Sequence, residues 1–273
     1  MPELPEVETV VRELNDRVRN RVITAIHVFW NRSLQNPADE FVRLLPGKKI
    51  IRVSRRGKYI FVHCSGSILF SIHLRMTGKL IFRLTERERK HLRVEIDFAD
   101  GSVLYFVDSR KFGKMKLWPS VKPILAELGP EPLKTSTVLR VLRGLKTARP
   151  IKAVLLDQKI LAGLGNIYAD EALFLSGIHP LTPAAWLNQI EQKKLSLAIP
   201  EILQNAIDRK GTTLRDYRTT RNSSGGNQDY LFVYGHSGQP CPKCRNLIQR
   251  IRIGGRSSHF CPVCQKRKLG IGV

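Results

Sequence analysis

The pattern Cys241-x2-Cys244-x16-Cys261-x2-Cys264 constrains this chain more than any other feature. Two close pairs of thiols separated by a hairpin-length insert can converge on one tetrahedral cage, the donor set of a zinc ion. Cys241-Pro242 and Cys261-Pro262 fit the tight knuckles that present paired sulfurs. Between them Leu247, Gln249, Ile251 and Ile253 alternate with Ile248, Arg250 and Arg252, and Gly254-Gly255 supplies a turn. That period of two is a β-ribbon. Four thiolates leave no open metal position, so one structural Zn2+ is expected rather than a catalytic one. Two disulfides or a redox pair are the other uses of such cysteines. The acidic, Pro-rich start Met1-Pro2-Glu3-Leu4-Pro5-Glu6 is the opposite of a secretory signal, and the expected compartment is a reducing one, such as the bacterial cytoplasm. Cys64, alone in a strand, reads as a small buried apolar residue.

Charge narrows the partner. The 273 residues carry 46 Lys and Arg against 23 acids, a net charge of +23 and a pI near 10.3. Such an excess opposes compaction unless a polyanion neutralises it, and nucleic acid does so with release of condensed counterions. A generically basic surface is the plain alternative, but the charge is uneven: residues 241–273 hold eight Lys and Arg and no acid. At 42% hydrophobic and 25% charged, the rest is ordinary globular composition. No apolar run approaches the roughly 18 residues of a membrane helix. A basic zinc ribbon alone serves many nucleic-acid proteins and does not separate an enzyme from a binding module.

Three zones separate on pattern. Val7, Val10, Val11, Leu14 and Val18 recur at helical spacing in residues 5–19, with Pro5 suited to a first turn. Strand-like stretches follow at Val22–Trp30, Lys49–Ser54, Tyr59–Cys64, Ile68–Leu74, Lys79–Phe82, Leu92–Phe98, Ser102–Val107 and Lys114–Trp118, interrupted by a short helix near Pro37–Leu45. Short strands with Gly-containing turns suggest a β-sandwich. It ends near the linker Gly129-Pro130-Glu131-Pro132. Apolar faces over Thr137–Leu145, Ile151–Leu156, Ile167–Ser176 and Ala184–Arg209 predict helices, with Pro200 kinking or dividing the last and Asn166 capping the third. Residues 211–230 read as a mobile loop.

The N-terminus carries a possible nucleophile. A small penultimate residue favours excision of Met1, which leaves Pro2 with a free secondary amine of pKa about 8. The following helix N-terminus lowers that value, and Glu3 and Glu6 push it back up. A neutral secondary amine can attack a sugar C1′ and form an iminium, the electron sink that elimination requires. Glu3 is the adjacent acid/base candidate. Met-Pro-Glu starts also occur in many proteins without catalytic meaning.

The opening Met1-Pro2-Glu3-Leu4-Pro5-Glu6-Val7-Glu8-Thr9-Val10 resembles that of the bacterial formamidopyrimidine-DNA glycosylases. The resemblance continues in Arg55-Arg56-Gly57-Lys58-Tyr59, His73-Leu74-Arg75-Met76-Thr77-Gly78 and Asp108-Ser109-Arg110-Lys111-Phe112-Gly113. It resumes in Ala162-Gly163-Leu164-Gly165-Asn166-Ile167-Tyr168-Ala169-Asp170-Glu171 and Gly177-Ile178-His179-Pro180, and closes in Gly255-Arg256-Ser257-Ser258-His259-Phe260-Cys261-Pro262-Val263-Cys264-Gln265. These blocks span nearly the whole chain in family order.

That resemblance implies an α+β multidomain fold with DNA in a cleft. Residues 1–130 would form the catalytic β-sandwich with its N-terminal helix. Residues 131–230 would be the helix–two-turns–helix domain with a lesion-side loop, and 231–273 the zinc-ribbon finger. It implies a monomeric, bifunctional glycosylase and lyase acting on damaged double-stranded DNA, one that flips out oxidised purines. Pro2 would be the Schiff-base nucleophile and Glu3 the acid. Lys58 would act in β-elimination, and Arg256 in δ-elimination and phosphate binding. Met76, Arg110 and Phe112 would fill the gap left by the flipped base and face its orphaned partner. His73, His91, Lys152 and Asn166 would contact DNA, Lys152 by charge and Asn166 through a helix N-terminus. Two departures stand out: Arg218–Tyr230 matches the family poorly, and His236 stands where a Lys or Arg is expected. The sister branch that removes oxidised pyrimidines, and a DNA-binding homologue without the chemistry, are the alternative readings.

Overall fold

The computed structural model describes residues 1–120 and 122–268. The chain divides into two compact units, one of Met1–Ala126 with Ala206–Gln228, the other of Glu127–Asn205 with Asp229 onward.

In the first unit, helix α1 (Leu4–Val18) buries Val7, Val10, Val11, Leu14 and Val18 on one face, as their spacing dictates. Pro5 sits in its first turn, and Glu3 and Glu6 form a reciprocal capping box. After β1 (Ile23–Val28) comes α2 (Ala38–Leu44), which seats Phe41 in the core. The strands that follow are β2 (Ile50–Arg56), β3 (Tyr59–Cys64), β4 (Leu69–His73) and β5 (Lys79–Ile81). Helix α3 (Glu86–Arg89) leads to β6 (Leu92–Phe98), β7 (Val103–Val107) and β8 (Lys114–Trp118). They form two four-stranded antiparallel sheets, ordered β1-β6-β7-β5 and β2-β3-β4-β8. Val94, Ile96 and Phe106 of the first sheet and Val53, Ile60, Val62 and Ile72 of the second share one core with the α1 valines, which makes a sandwich. Cys64 is buried and free, as expected. Four residues are too few to show helical periodicity, so α3 escaped the pattern reading, although Thr85-x2-Glu88 is a capping-box signature.

The stretch after residue 210 is tethered rather than loose. Tyr217 lies in the sandwich core, 8% exposed, and its hydroxyl donates to the Lys210 carbonyl at 3.1 Å. Thr220 donates its amide and hydroxyl to Glu13 Oε2 at 2.8 and 2.6 Å. Gly225 passes so close to residue 211 that a Cβ there would lie 2.1 Å from the Gly211 carbonyl oxygen.

Helix α4 (Lys122–Glu127) belongs to the first unit except for its last residue, and the second unit holds α5 (Thr135–Arg143), α6 (Ile151–Leu155) and α7 (Asn166–Ser176). Helix α8 (Gln189–Asp208) runs from this unit into the first. It starts later than its apolar pattern suggests, because Ala184–Trp186 forms a separate 3-10 turn and Asn188 and Glu191 cap each other. Pro200 does not divide α8. Its missing bond and ring clash cost about 3 kcal/mol. Leu195, Ile199, Leu203 and Ala206, all fully buried on the same face, outweigh that at roughly 1.5–3 kcal/mol per large apolar side chain. Asn166 is not the cap of α7: Gly165 is, in extended backbone, and Asn166 is the first helical residue. The ribbon strands β9 (Gln249–Ile253) and β10 (Arg256–Phe260) pair with Ile253 opposite Arg256. Gly254 and Gly255 turn the ribbon, both at positive φ as a two-residue hairpin requires.

Candidate active site

Pro2 and Glu3 are buried at the N-terminal end of α1. The Glu3 amide donates to Glu6 Oε2 at 2.7 Å, and the Thr212 amide donates to Glu6 Oε1 at 2.8 Å. Glu6, 1% exposed, therefore holds the start of α1 and the 211–212 backbone together. Gly211, at φ +80, permits this approach, since a Cβ there would lie 2.8 Å from Glu6 Oε1. From sequence alone, Glu6 is only a charge near the amine.

Lys58 follows Gly57, whose φ of +56 turns β2 into β3. Lys58 is 6% exposed. Nearby His73 is buried, its ring edge-on to Tyr59 with centroids 4.6 Å apart. Burial first, then the charges of Arg75 and Lys58, push the His73 imidazole down to about 3. It is neutral at physiological pH. Because its Nδ1 accepts the Arg75 amide at 3.0 Å, its proton is on Nε2, which is left as a donor. His91 is held below its ordinary value by desolvation and then by Lys90 and Arg93. It lines a recess of about 460 Å3 with Lys79, Arg87, Arg215 and Arg218.

The three gap-filling candidates converge at the surface of the first unit. Met76 is 40% and Phe112 48% exposed. Arg110 Nη1 lies 3.2 Å from Met76 Sδ, and its guanidinium stacks 5.1 Å from the centre of the Phe112 ring.

In the second unit, sequence reasoning assigns Lys152 to phosphate, but the structure buries it. Lys152 is 1% exposed, with Nζ 2.6 Å from Asp170 Oδ1 and 2.8 Å from the Asn166 carbonyl oxygen. A low-dielectric interior demands such a counter-charge. Asp170 also accepts from the Ser258 hydroxyl at 2.6 Å and from the His259 amide at 2.9 Å, which fastens β10 to α7. The neighbouring Glu171 carboxylate accepts the amides of Phe232, Val233 and Tyr234 at 2.7, 3.0 and 2.8 Å. Burial raises its pKa, and those three donors pull it back. Asn166 Nδ2 donates to the Ser257 carbonyl at 2.9 Å. Arg256 is exposed where the hairpin turn ends. His236 approaches the Phe232 carbonyl through Nδ1 at 3.4 Å. Sequence reasoning assigns Asp170 and Glu171 no role, because residue type does not disclose that an acid is buried.

The four ribbon cysteines bring their sulfurs within 4.8 Å of one another, with Cys241–Cys264 at 3.8 Å and Cys244–Cys261 at 3.4 Å. All four are free. Zn–S bonds of about 2.3 Å imply tetrahedral S···S edges near 3.8 Å, so the cage fits zinc. Burial and then the neighbouring sulfurs push the Cys264 thiol up to about 12, a penalty on the thiolate that a dication reverses. Zinc here is structural. A second group with metal-ligand atoms, His27, Glu95 and Asp97, is partly exposed, and in it His27 Nε2 already meets Asp97 at 3.1 Å. No helix among the described residues is long and apolar enough to cross a membrane.

These parts define a class: a β-sandwich unit with a capped N-terminal helix, and a helical unit that ends in a four-cysteine zinc ribbon. Three family models match in order: the formamidopyrimidine-DNA glycosylase N-terminal domain over residues 1–115, its H2TH domain over 128–218, and the zinc finger found in FPG and IleRS over 238–267. The formamidopyrimidine-DNA glycosylase of Chloroflexus aurantiacus is 42% identical over 271 residues, covering 97% of this chain and 98% of that one. A variant of the Lactococcus lactis FPG, solved in complex with a Fapy-dG-containing DNA, is 38% identical with a TM-score of 0.89, over 97% of this chain and all of that one. The wild-type Lactococcus lactis protein, solved with an oxidised-pyrimidine-containing DNA, has a TM-score of 0.88 at the same identity and coverage. The chain belongs to the formamidopyrimidine-DNA glycosylase family.

Proposed function

We propose that this protein is a bifunctional DNA glycosylase and abasic-site lyase that excises oxidised purines, 8-oxoguanine and formamidopyrimidines, from double-stranded DNA. The observation that carries the reading is the buried Pro2–Glu3 pair at the capped start of α1, on a chain of net charge +23. With Met1 removed, the Pro2 nitrogen is a secondary amine. Its lone pair attacks C1′ as the C1′–base bond breaks, the amine gives up its proton, and the C1′–O4′ bond then breaks to leave an iminium, with Glu3 donating the proton that assists departure of the base or opening of the sugar ring at O4′. The resulting iminium acidifies C2′. Loss of that proton expels the 3′ phosphate, with Lys58 at this step. A second elimination expels the 5′ phosphate, with Arg256 supporting the departing charge. Zinc takes no step in this chemistry and holds the ribbon.

Met76, Arg110 and Phe112 fill the gap. His73, through its neutral Nε2–H, and His91 and Asn166 meet the backbone. Lys152 acts from beneath by ordering Asn166 and Asp170. Residues 1–130 serve as the catalytic segment, 131–230 as the helix–two-turns–helix segment with a lesion-side loop, of which 206–228 pack with the first unit, and 231–273 as the finger. The protein works as a monomer on DNA in the bacterial cytoplasm.

Borohydride should trap a covalent adduct between the enzyme and abasic-site DNA. Pro2→Gly should weaken trapping while leaving DNA binding largely intact, and no adduct with wild-type protein would overturn the reading. A second specificity is favoured by one observation, the relative solved with oxidised-pyrimidine DNA. Cleavage of 8-oxoguanine opposite C against thymine glycol opposite A separates the two; a strong preference for the pyrimidine lesion would replace the purine assignment.

A further inference from the structure

Two surface loops distant in sequence carry the gap-filling side chains, and both close on one carboxylate. Asp108, just past β7, has no exposed surface. Its Oδ2 accepts the Gly113 amide at 2.7 Å, and its Oδ1 accepts the Arg110 amide at 3.2 Å and the Thr77 hydroxyl. The Thr77 oxygen in turn accepts the Arg110 amide at 3.1 Å. Asp108 is itself fixed, since its amide donates to the His91 carbonyl at 2.9 Å and its carbonyl accepts Arg93 Nε at 2.8 Å.

The backbone on each side is held in a conformation it would not choose. Lys111, between Arg110 and Phe112, has φ +62, and Arg75, before Met76, has φ +55. Left-handed backbone in residues other than glycine persists where surrounding contacts over-determine it. The Asp108 bonds to the amides of residues 110 and 113 bracket the first position. For the second, the His73 bond to the Arg75 amide and the Gly78 amide to the Leu74 carbonyl, at 3.0 Å each, close the turn. Gly113 is packed against this centre: a Cβ would meet Phe106 Cζ at 2.5 Å.

We infer that Asp108 and Thr77 are positioning residues for Met76, Arg110 and Phe112, so that reading of the base opposite the lesion depends on a buried carboxylate bridging the two loops. The inference rests on the glycosylase reading above. Thr77 is the joint. Thr77→Val keeps the shape and leaves the Asp108 bonds to residues 110 and 113 in place, so each loop retains its own turn but loses its register with the other. Thr77→Ser keeps the hydroxyl.

The test uses zinc-loaded, Met1-processed protein and single-turnover borohydride trapping on three abasic substrates: duplex opposite C, duplex opposite A, and single strand. A single strand has neither a gap nor an orphaned base. Thr77→Val should lower the rate on the duplex opposite C about tenfold or more, move the C-to-A ratio towards one, and leave the single-strand rate within about twofold of wild type. Thr77→Ser should restore the duplex rate. Combining Thr77→Val with Arg110→Ala should be no worse on duplex than Arg110→Ala alone. Equal loss on duplex and single strand, or an unchanged duplex rate and C-to-A ratio, would overturn the inference. Failure of the wild-type protein to trap any of the three substrates would instead overturn the proposed function.

Discussion

Replacing Asp170 by asparagine removes one negative charge from a site where a lysine is 1% exposed and the acid fully buried. The Lys152 ammonium keeps its bond to the Asn166 carbonyl at 2.8 Å but loses the Asp170 carboxylate at 2.6 Å. The new amide cannot accept on both sides, so either the Ser258 hydroxyl or the His259 amide also loses its acceptor. Breaking a buried pair by removing one partner costs about 3–5 kcal/mol, most of it the penalty of the stranded charge. That origin makes a sharp demand on the double variant. With Lys152→Met added, the charge is gone, and the remaining loss should fall to about 1–2 kcal/mol, the cost of one unsatisfied buried hydrogen bond. Urea unfolding of the zinc-loaded single and double variants measures both quantities. A loss below about 1 kcal/mol for Asp170→Asn, or a double variant as unstable as the sum of its parts, would refute the argument.

Chelation of zinc, or Cys244→Ser, should unfold the ribbon and abolish lesion binding, because metal binding and ribbon folding are one equilibrium; full activity in metal-free protein, measured by lesion-duplex cleavage, would contradict this. The His73 imidazole is held at about 3 in the folded chain against 6.5 when unfolded. The unfolded state therefore binds the extra proton between those values, and the His73 contribution, present above about pH 6.5, is lost as pH falls towards 3. Its slope is at most about 1.4 kcal/mol per pH unit. His73→Gln should flatten the pH dependence of unfolding free energy between pH 4 and 6.5, and an unaltered slope would count against a buried neutral imidazole. DNA affinity should fall by about 0.9 log units per log unit of salt for each phosphate neutralised; a flat response in a fluorescence-anisotropy titration would mean that the +23 charge is not the docking surface.

The elements that the sequence specifies are those decided by local physics. The period of the α1 valines, the alternation along β9 and the cysteine spacing each report neighbours a few residues away, and each appears where its pattern lies. Thr85-x2-Glu88 and Asn188-x2-Glu191 carried equally local signals, although the short helix α3 has no apolar period to announce it. The resemblance supplied Pro2, Glu3, Lys58 and Arg256 by position, and the exposed Met76, Arg110 and Phe112 emerge as a contacting trio.

What the tertiary structure alone decided is which charges lie inside. Lys152 reads as a phosphate ligand because lysines are usually solvated, yet its partner Asp170 lies 18 residues away and fixes a strand 88 residues further on. Glu6 joins α1 to a segment 206 residues later, and Asp108 meets Thr77 across 31 residues. Burial of a carboxylate is favourable only when several donors arrive together, and those donors come from distant parts of the chain that only folding assembles. The sequence determined the strands and helices with a local period and the spacing of the zinc cage; folding placed residues 206–228 with the first unit, away from the 131–230 segment in which the sequence reading puts them, and determined which acids lie buried.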